Sequence, residues 1–180
     1  MERLRLVFSG SGGQGVITAS IILAEAAVLF DDLNAVQSQS YGPEARGGAT
    51  RSDVIISDSV INSPKVIEPN VLVCLTQTAY NKFSGIIRPG GLLLTDPHFV
   101  TIARKVDAMQ REIPMYKTVM TEIGKPIVFN ICMLGTLIAL TDVVQPESVM
   151  KTIKARIPEN FIDMNRKAFD LGLALGKSKK

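Results

Sequence analysis

A glycine-rich turn between two apolar segments is the feature that most constrains the fold. Residues 4–8 form a short apolar run, residues 10–15 read Gly-Ser-Gly-Gly-Gln-Gly, and residues 16–30 are rich in alanine, isoleucine and leucine. This order predicts a strand, a tight turn and a helix, with the G-x-G-x-x-G spacing at the mouth of the helix. Such a turn brings backbone N–H groups and the positive end of the helix toward a phosphate.

The remaining apolar runs predict further strands and helices in alternation. Residues 35–39 and 49–57 favour strands, the first of them completing a βαβ unit with the glycine turn, and a tight turn at residues 58–59 returns the chain through residues 60–61. Further runs predict buried strands over 71–75 and 92–95, a short helix over 78–83 and a buried helix within 127–144. We therefore predict a three-layer α/β fold, Rossmann-like, with a mostly parallel sheet and helices on both faces.

The C-terminal part of the chain is predicted to be helical. Pro146 and Pro158 suit the first turns of helices, and Gly176 suits a helix end. Apolar residues recur there at spacings of three and four, which predicts one buried face. The residues of this stripe are Phe161, Met164, Ala168, Leu171 and Leu175.

Composition narrows the class of protein. The 180 residues are 46% hydrophobic and 21% charged, which predicts one globular domain over residues 1–180 and excludes a disordered chain. A net charge of +3 without a long basic tract argues against nucleic-acid binding. The two cysteines form no CxxC pair, so no zinc or iron-sulfur site is predicted in this chain. Interrupted apolar stretches and the short N-terminal run predict a cytoplasmic protein without membrane spans.

A dinucleotide site would need a second signal that the sequence lacks. The ribose of NAD is usually held by an Asp or Glu about 20 residues after the turn, at the end of the second strand. Residues 37–40 are Gln-Ser-Gln-Ser, and Asp31 and Asp32 precede that strand. A free-standing NAD(P)-dependent reductase is thus disfavoured but left open, as is a turn whose glycines serve packing alone. The absence of a Walker lysine gives ATP or GTP hydrolysis no support.

A second loop, residues 41–48, combines an aromatic ring, a carboxylate and a guanidinium. It reads Tyr-Gly-Pro-Glu-Ala-Arg-Gly-Gly. Arg46 can present a planar fork to a phosphate or a carboxylate. The plainer alternative is a surface ion pair between Glu44 and Arg46.

The two loops together resemble the gamma subunit of 2-oxoacid:ferredoxin oxidoreductases. The resemblance extends through Ile-Ser-Asp at 56–58 and Arg-Pro-Gly-Gly at 88–91 to the helix that contains Asn165, Ala168 and Phe169, and so covers most of the chain. The form of the second loop is most similar to subunits assigned to 2-oxoglutarate, with the pyruvate and branched-chain types close behind.

This resemblance implies a share in a thiamine-diphosphate enzyme that oxidatively decarboxylates a 2-oxoacid to acyl-CoA and CO2 and reduces ferredoxin. Thiamine diphosphate, magnesium and 4Fe-4S clusters would lie only in partner subunits, namely alpha, beta and a ferredoxin-like delta. This chain would give structural support and position coenzyme A, with no catalytic residue of its own and no activity alone. The residues implied to approach coenzyme A are Gly10, Ser11, Gly12, Gly13, Gln14, Gly15 and Arg46, and those implied at the subunit interface are Tyr41, Glu44, Arg46 and Gly47.

Some questions stay open at this point. They are the identity of the 2-oxoacid, the copy number, self-association, and a third function as a module that binds a nucleotide or acyl-CoA without catalysis.

His98, the one histidine, is predicted to be structural or solvent-facing. Cys74 and Cys132 are predicted to act as small hydrophobic residues.

Overall fold

A computed structural model describes residues 3–40, 48–103 and 105–180, without the side chain of Ser40. Six strands and six α-helices form within these ranges. The strands are β1 (Leu4–Gly10), β2 (Asn34–Ser40), β3 (Thr50–Ser57), β4 (Val71–Cys74), β5 (Gly91–Thr95) and β6 (Ala108–Glu112). The helices are α1 (Val16–Phe30), α2 (Gln77–Phe83), α3 (Met115–Glu122), α4 (Phe129–Thr141), α5 (Pro146–Arg156) and α6 (Ile162–Lys177), with 3-10 turns at Ser84–Ile86, Pro126–Val128 and Glu159–Phe161.

The strands form one sheet in the order β2-β3-β1-β4-β5-β6. β3 runs antiparallel to both of its neighbours, and the pairs β1-β4, β4-β5 and β5-β6 are parallel. Leu6 lies opposite Val54 on one side and Val71 on the other, so the centre of the sheet is apolar. The predicted mostly parallel sheet is confirmed, with one antiparallel strand inserted in it.

Alternate residues of the central strands face two separate cores. Leu6 and Phe8 of β1 belong to the core that includes residues of α1, α3, α4, α5 and α6, whereas Val7 belongs to the core that includes residues of α2 and of loops on the opposite face. Period-two alternation in a sheet that is covered on both faces explains the near-continuous apolar runs of β1, β4 and β5. The three-layer prediction is therefore confirmed, although one face holds five helices and the other holds α2.

The two faces define a crevice at the carboxyl ends of the strands. α1 follows β1 onto one face, and α2 follows the adjacent β4 onto the other. Connections that leave neighbouring strands in opposite directions open a gap there, which is where α/β sheets usually bind ligands.

Two details of the first half of the chain differ from expectation. β1 and β2 are parallel and joined by α1, as in the predicted βαβ unit, but β3 lies between them in the sheet, so they do not pair directly. Residues 60–61 form no strand, and Val60 is 71% exposed. The reason is that β3 already has partners on both sides, β2 and β1, so no edge remains for a returning strand.

The C-terminal half is also partly as predicted. Pro146 opens α5 as expected, but Pro158 precedes a 3-10 turn, and Gly176 lies inside α6 instead of ending it. A Cβ on Gly176 would lie 2.6 Å from the carbonyl oxygen of Thr136 on α4, so this glycine permits close helix packing. Neither β6 nor α3 was predicted. None of the helices within the described ranges combines the length and the apolar character that crossing a membrane requires.

Candidate functional site

The glycine turn lies at the carboxyl end of β1, beside the crevice between β1 and β4. Gly13 and Gly15 have left-handed φ values of 89° and 70°, which only glycine adopts without strain. Gly15 is the N-cap residue of α1, and its carbonyl oxygen accepts the amide of Ala19 at 3.0 Å. The predicted strand, turn and helix are therefore present, with the positive end of α1 at the turn.

Gln14 braces the turn from inside. Its Oε1 accepts the amide of Ser11 at 2.8 Å, and its Nε2 donates to the carbonyl oxygen of Leu75 at 3.0 Å. Leu75 follows β4, so this side chain links the two strands that border the crevice. A Cβ on Gly10 would lie 2.6 Å from the same Oε1. Gln14 and Gly10 thus shape the turn, and the Ser11 amide is already occupied.

Asn130 of α4 fixes the other end of the turn. Its Nδ2 donates to the carbonyl oxygen of Gly15 at 3.3 Å, and a Cβ on Gly15 would lie 2.5 Å from that nitrogen. Sequence reasoning did not assign Asn130 to the site. The available signal was the single amide side chain in a mostly apolar helix, because a buried polar group needs a partner.

The outer side of the turn is open. A Cβ on Gly12 or on Gly13 would meet no atom within 4 Å. The amides of Gly12, Gly13 and Gly15 donate to no acceptor in the described part of the chain. Free backbone donors beside a helix N-terminus suit an anion such as a phosphate.

A groove of 290 Å³ runs from the turn to the start of α6. Its polar side chains are Thr18, Asn130 and Asn165, and no charged residue lines it among those described. At its rim, Ile127 is 75% exposed and Phe161 is 44% exposed. The groove therefore adds an apolar surface beside the backbone donors.

The structure does not describe the second loop at residues 41–47. Tyr41, Glu44, Arg46 and Gly47 lie outside the described residues, so their roles stay predictions.

A second concave region of 410 Å³ lies at the end of β5. The carboxylate of Asp96 is buried and accepts the amides of His98 at 2.8 Å and Tyr116 at 2.7 Å. Burial raises the pKa of Asp96, and these hydrogen bonds oppose that shift. His98 stacks on Tyr116 with 4.4 Å between ring centroids. Asp96 thus anchors the first turn of α3, and the exposed His98 adds to its aromatic cover.

The thiols of Cys74 and Cys132 are buried. Burial raises the pKa of Cys74 to about 12 and that of Cys132 to about 12, so neither forms a thiolate at neutral pH. This confirms the prediction that both act as small hydrophobic residues. Within the described ranges, no group of three or more His, Cys, Asp or Glu side chains is placed to hold a metal ion.

Comparison with known proteins gives a consistent result. The family described as pyruvate ferredoxin/flavodoxin oxidoreductase matches residues 5–175. The 2-oxoglutarate synthase subunit KorC of Methanocaldococcus jannaschii is 46% identical over 177 residues, which is 97% of this chain and 95% of that protein.

Two solved structures share the fold. The keto/oxoacid ferredoxin oxidoreductase gamma subunit of Geobacter sulfurreducens is 42% identical with a TM-score of 0.91, covering 99% of this chain and 98% of its own. The 2-oxoglutarate:ferredoxin oxidoreductase of Magnetococcus marinus, with 2-oxoglutarate, coenzyme A and succinyl-CoA bound, is 22% identical with a TM-score of 0.88 and covers 99% of this chain and 32% of its own. At that identity it supports the fold alone. The resemblance seen in the two sequence motifs is confirmed, and this chain belongs to the pyruvate ferredoxin/flavodoxin oxidoreductase family.

Proposed function

We propose that this chain is the gamma subunit of a 2-oxoacid:ferredoxin oxidoreductase, and that residues 1–180 form its single domain. The enzyme would convert a 2-oxoacid, coenzyme A and oxidised ferredoxin into acyl-CoA, CO2 and reduced ferredoxin. The observation that carries this proposal is the end-to-end similarity to a 2-oxoglutarate synthase subunit. The similarity to a gamma subunit over 99% of the chain supports the same assignment.

The glycine turn is the part of this chain that fits coenzyme A. The open side at Gly12 and Gly13 leaves room for an approaching group, and the free amides beside the α1 terminus suit its phosphates. When bound, coenzyme A supplies the thiol that accepts the acyl group. This chain would then hold and orient the cofactor and exclude water, which accelerates a reaction without proton transfer by the protein. Arg46 is proposed to assist in this role.

The chemical groups that the reaction needs would come from partners. A 4Fe-4S cluster needs four cysteine ligands, and this sequence has two cysteines, both buried. We assign thiamine diphosphate, magnesium and the clusters to alpha, beta and ferredoxin-like delta subunits. We propose that the exposed apolar rim at Ile127 and Phe161 contacts one of these subunits. The predicted interface residues Tyr41, Glu44, Arg46 and Gly47 are proposed to contribute to the same assembly.

The NAD(P) alternative finds no support. Asp31, one of the two acidic residues that precede β2, accepts the amide of Gln145 at 2.6 Å and contacts Ser148 of α5. It lies at the far end of the 15-residue α1, about 22 Å of helix from the turn. Asp31 is therefore a cap for α5 and not a ribose ligand.

Purification from the native host tests the assignment. The tagged chain should be isolated without oxygen, and the co-eluting proteins identified by mass spectrometry and visible absorption. We expect a brown complex with thiamine-diphosphate and cluster-bearing chains. A colourless chain that elutes alone would contradict the proposal.

Turnover of the purified complex tests the substrate. We propose 2-oxoglutarate, because a 2-oxoglutarate synthase subunit is 46% identical to this chain. Ferredoxin reduction should be compared with 2-oxoglutarate, pyruvate and a branched-chain 2-oxoacid at equal concentrations. A higher kcat/KM for either of the other two acids would overturn the preference while leaving the subunit assignment intact.

A further inference from the structure

Two cavities that share Arg88 and Pro89 lie near the amino ends of the strands, whereas the glycine turn lies at the carboxyl end of β1. The first, of 430 Å³, lies beside the amino ends of β4 and β5 and reaches the end of the chain at Lys179 and Lys180. The second, of 650 Å³, lies beside Arg5 of β1 and Lys65. Because β1 is seven residues long, the amino ends of the strands lie about 20 Å from the turn. We call the two cavities together the basic groove.

Positive charge is concentrated in the basic groove. One carboxylate, Glu68, lines it among the described residues. Removing the groove residues from the formal charge of +3 leaves a net charge of −2 for the rest of the chain. The six cationic residues that line the groove are Arg5, Lys65, Arg88, Arg111, Lys179 and Lys180.

Four of the six cationic residues have no carboxylate partner among the described residues, namely Arg5, Lys65, Arg111 and Lys179. In the described ranges, Lys180 pairs with Asp142, but Arg5, Lys65 and Lys179 make no ion pair. Arg111 donates through Nε to the carbonyl oxygen of Lys179 at 3.1 Å, which leaves its remaining N–H groups without a carboxylate. Like charges gathered at one place raise the local potential, which favours an acidic partner.

Apolar groups at the same place favour a protein over a simple ion. Leu4, Leu92 and Pro89 line the first cavity together with Met109, which is 53% exposed. Met109 and Arg111 lie two residues apart on β6, and β6 is an edge strand with one neighbour. Methionine and arginine are both enriched in protein interfaces.

We propose that the basic groove is a docking surface for an acidic segment of another protein chain. Its carboxylates would pair with Lys65, Arg111 and Lys179, and apolar side chains of the segment would pack on Met109. A nucleic acid fits less well, because no aromatic side chain lines either cavity for base stacking among the described residues. The inference does not depend on coenzyme A binding, since the basic groove and the glycine turn lie at opposite ends of the strands.

Binding of a labelled decaglutamate peptide to the full chain tests the proposal by fluorescence anisotropy. We expect saturable binding that weakens as NaCl rises from about 50 to 300 mM, because salt shortens the Debye length. The double variant Lys65→Glu/Lys179→Glu should lower the affinity about tenfold or more. Both lysines are exposed, so the variant should keep the thermal unfolding temperature of the parent.

A matched control separates this surface from the total charge. Lys151→Glu/Lys154→Glu makes the same charge change on the exposed side of α5, away from both cavities, and should keep the parent affinity within about twofold. Equal losses in the two double variants would overturn the proposal. So would the absence of peptide binding by the parent, or tighter binding of a single-stranded oligonucleotide of the same length.

Discussion

Two sets of glycines in this molecule have opposite surroundings. In the turn, Gly12 and Gly13 face open space. At the contact between α4 and α6, a Cβ on Gly135 or Gly172 would collide with the backbone of the facing helix, at Phe169 and Cys132 respectively. Glycine therefore leaves room for a ligand in the turn and permits close packing of two helices at the α4–α6 contact. The sequence pattern alone does not distinguish these two roles.

The packed helix contact holds the glycine turn in position. The α4–α6 contact fixes α4, and Asn130 of α4 holds Gly15 at the end of the turn. Close packing at Gly135 and Gly172 thus fixes the position of α4, and α4 in turn holds the glycine turn through Asn130. Substitutions at the packed glycines should therefore change stability, and substitutions at the open glycines should change function.

The largest effect is expected at the helix crossing. Gly172→Ala places a methyl group against the carbonyl oxygen of Cys132, and backbone atoms on two packed helices have little freedom to move. We expect a loss of about 3 kcal/mol or more in the free energy of unfolding, measured by urea denaturation. Gly12→Ala is the matched control, with an expected change within about 0.5 kcal/mol. Equal stability of the two variants would remove the distinction.

A smaller effect is expected at the end of the turn. Gly15→Ala combines a left-handed backbone with a contact to the Asn130 side chain, and the left-handed conformation alone costs about 1–2 kcal/mol. Asn130→Ala removes the contact, so the double variant should lose less stability than the sum of the two single variants. Strict additivity in this double-mutant cycle would show that Asn130 and Gly15 do not interact.

The sequence predicted the glycine turn because its signal is local. Glycine spacing, the flanking apolar runs and the length of α1 all lie within residues 4–30, and the structure has the turn in that place. The insertion of β3 between β1 and β2 was not predictable in this way, because strand order depends on pairing between distant segments. Asn130 lies 115 residues from Gly15, so periodicity gives no indication of their contact.

The C-terminal helix shows the same limit. Of the predicted apolar stripe, Ala168 is buried and Phe161 is exposed, and the other three members are half-buried, namely Met164, Leu171 and Leu175. Gly172 and Gly176 are buried against α4. Hydrophobic spacing located the helix, but close backbone approach by small residues decided which face packs. A glycine near a helix end predicts a stop unless the facing helix is known.

The smallest change in the free energy of unfolding is expected at the ion pair between α1 and α5. Arg156 of α5 pairs with Glu25 of α1 at the surface, with side chains 40% and 34% exposed, and this contact lowers the pKa of Glu25. Solvent screening limits such pairs, so Glu25→Gln should cost about 0.5 kcal/mol at neutral pH. Because the folded pKa is lowered, the contribution is present above the usual pKa of 4.5 and is lost as pH falls through the folded value. Urea denaturation at neutral and acidic pH checks this, and an unchanged difference at the two pH values would contradict it.

We propose that the open side of the turn receives coenzyme A. The most direct measurement is the KM for coenzyme A of the purified multi-subunit complex, with the parent chain and with Gly12→Ala. Because a methyl group there crowds the approaching phosphate and nothing else, we predict a KM raised about tenfold, with complex yield and the KM for the 2-oxoacid unchanged. An unchanged KM for coenzyme A in a fully assembled complex would contradict the account and leave the glycines of the turn with a packing role alone.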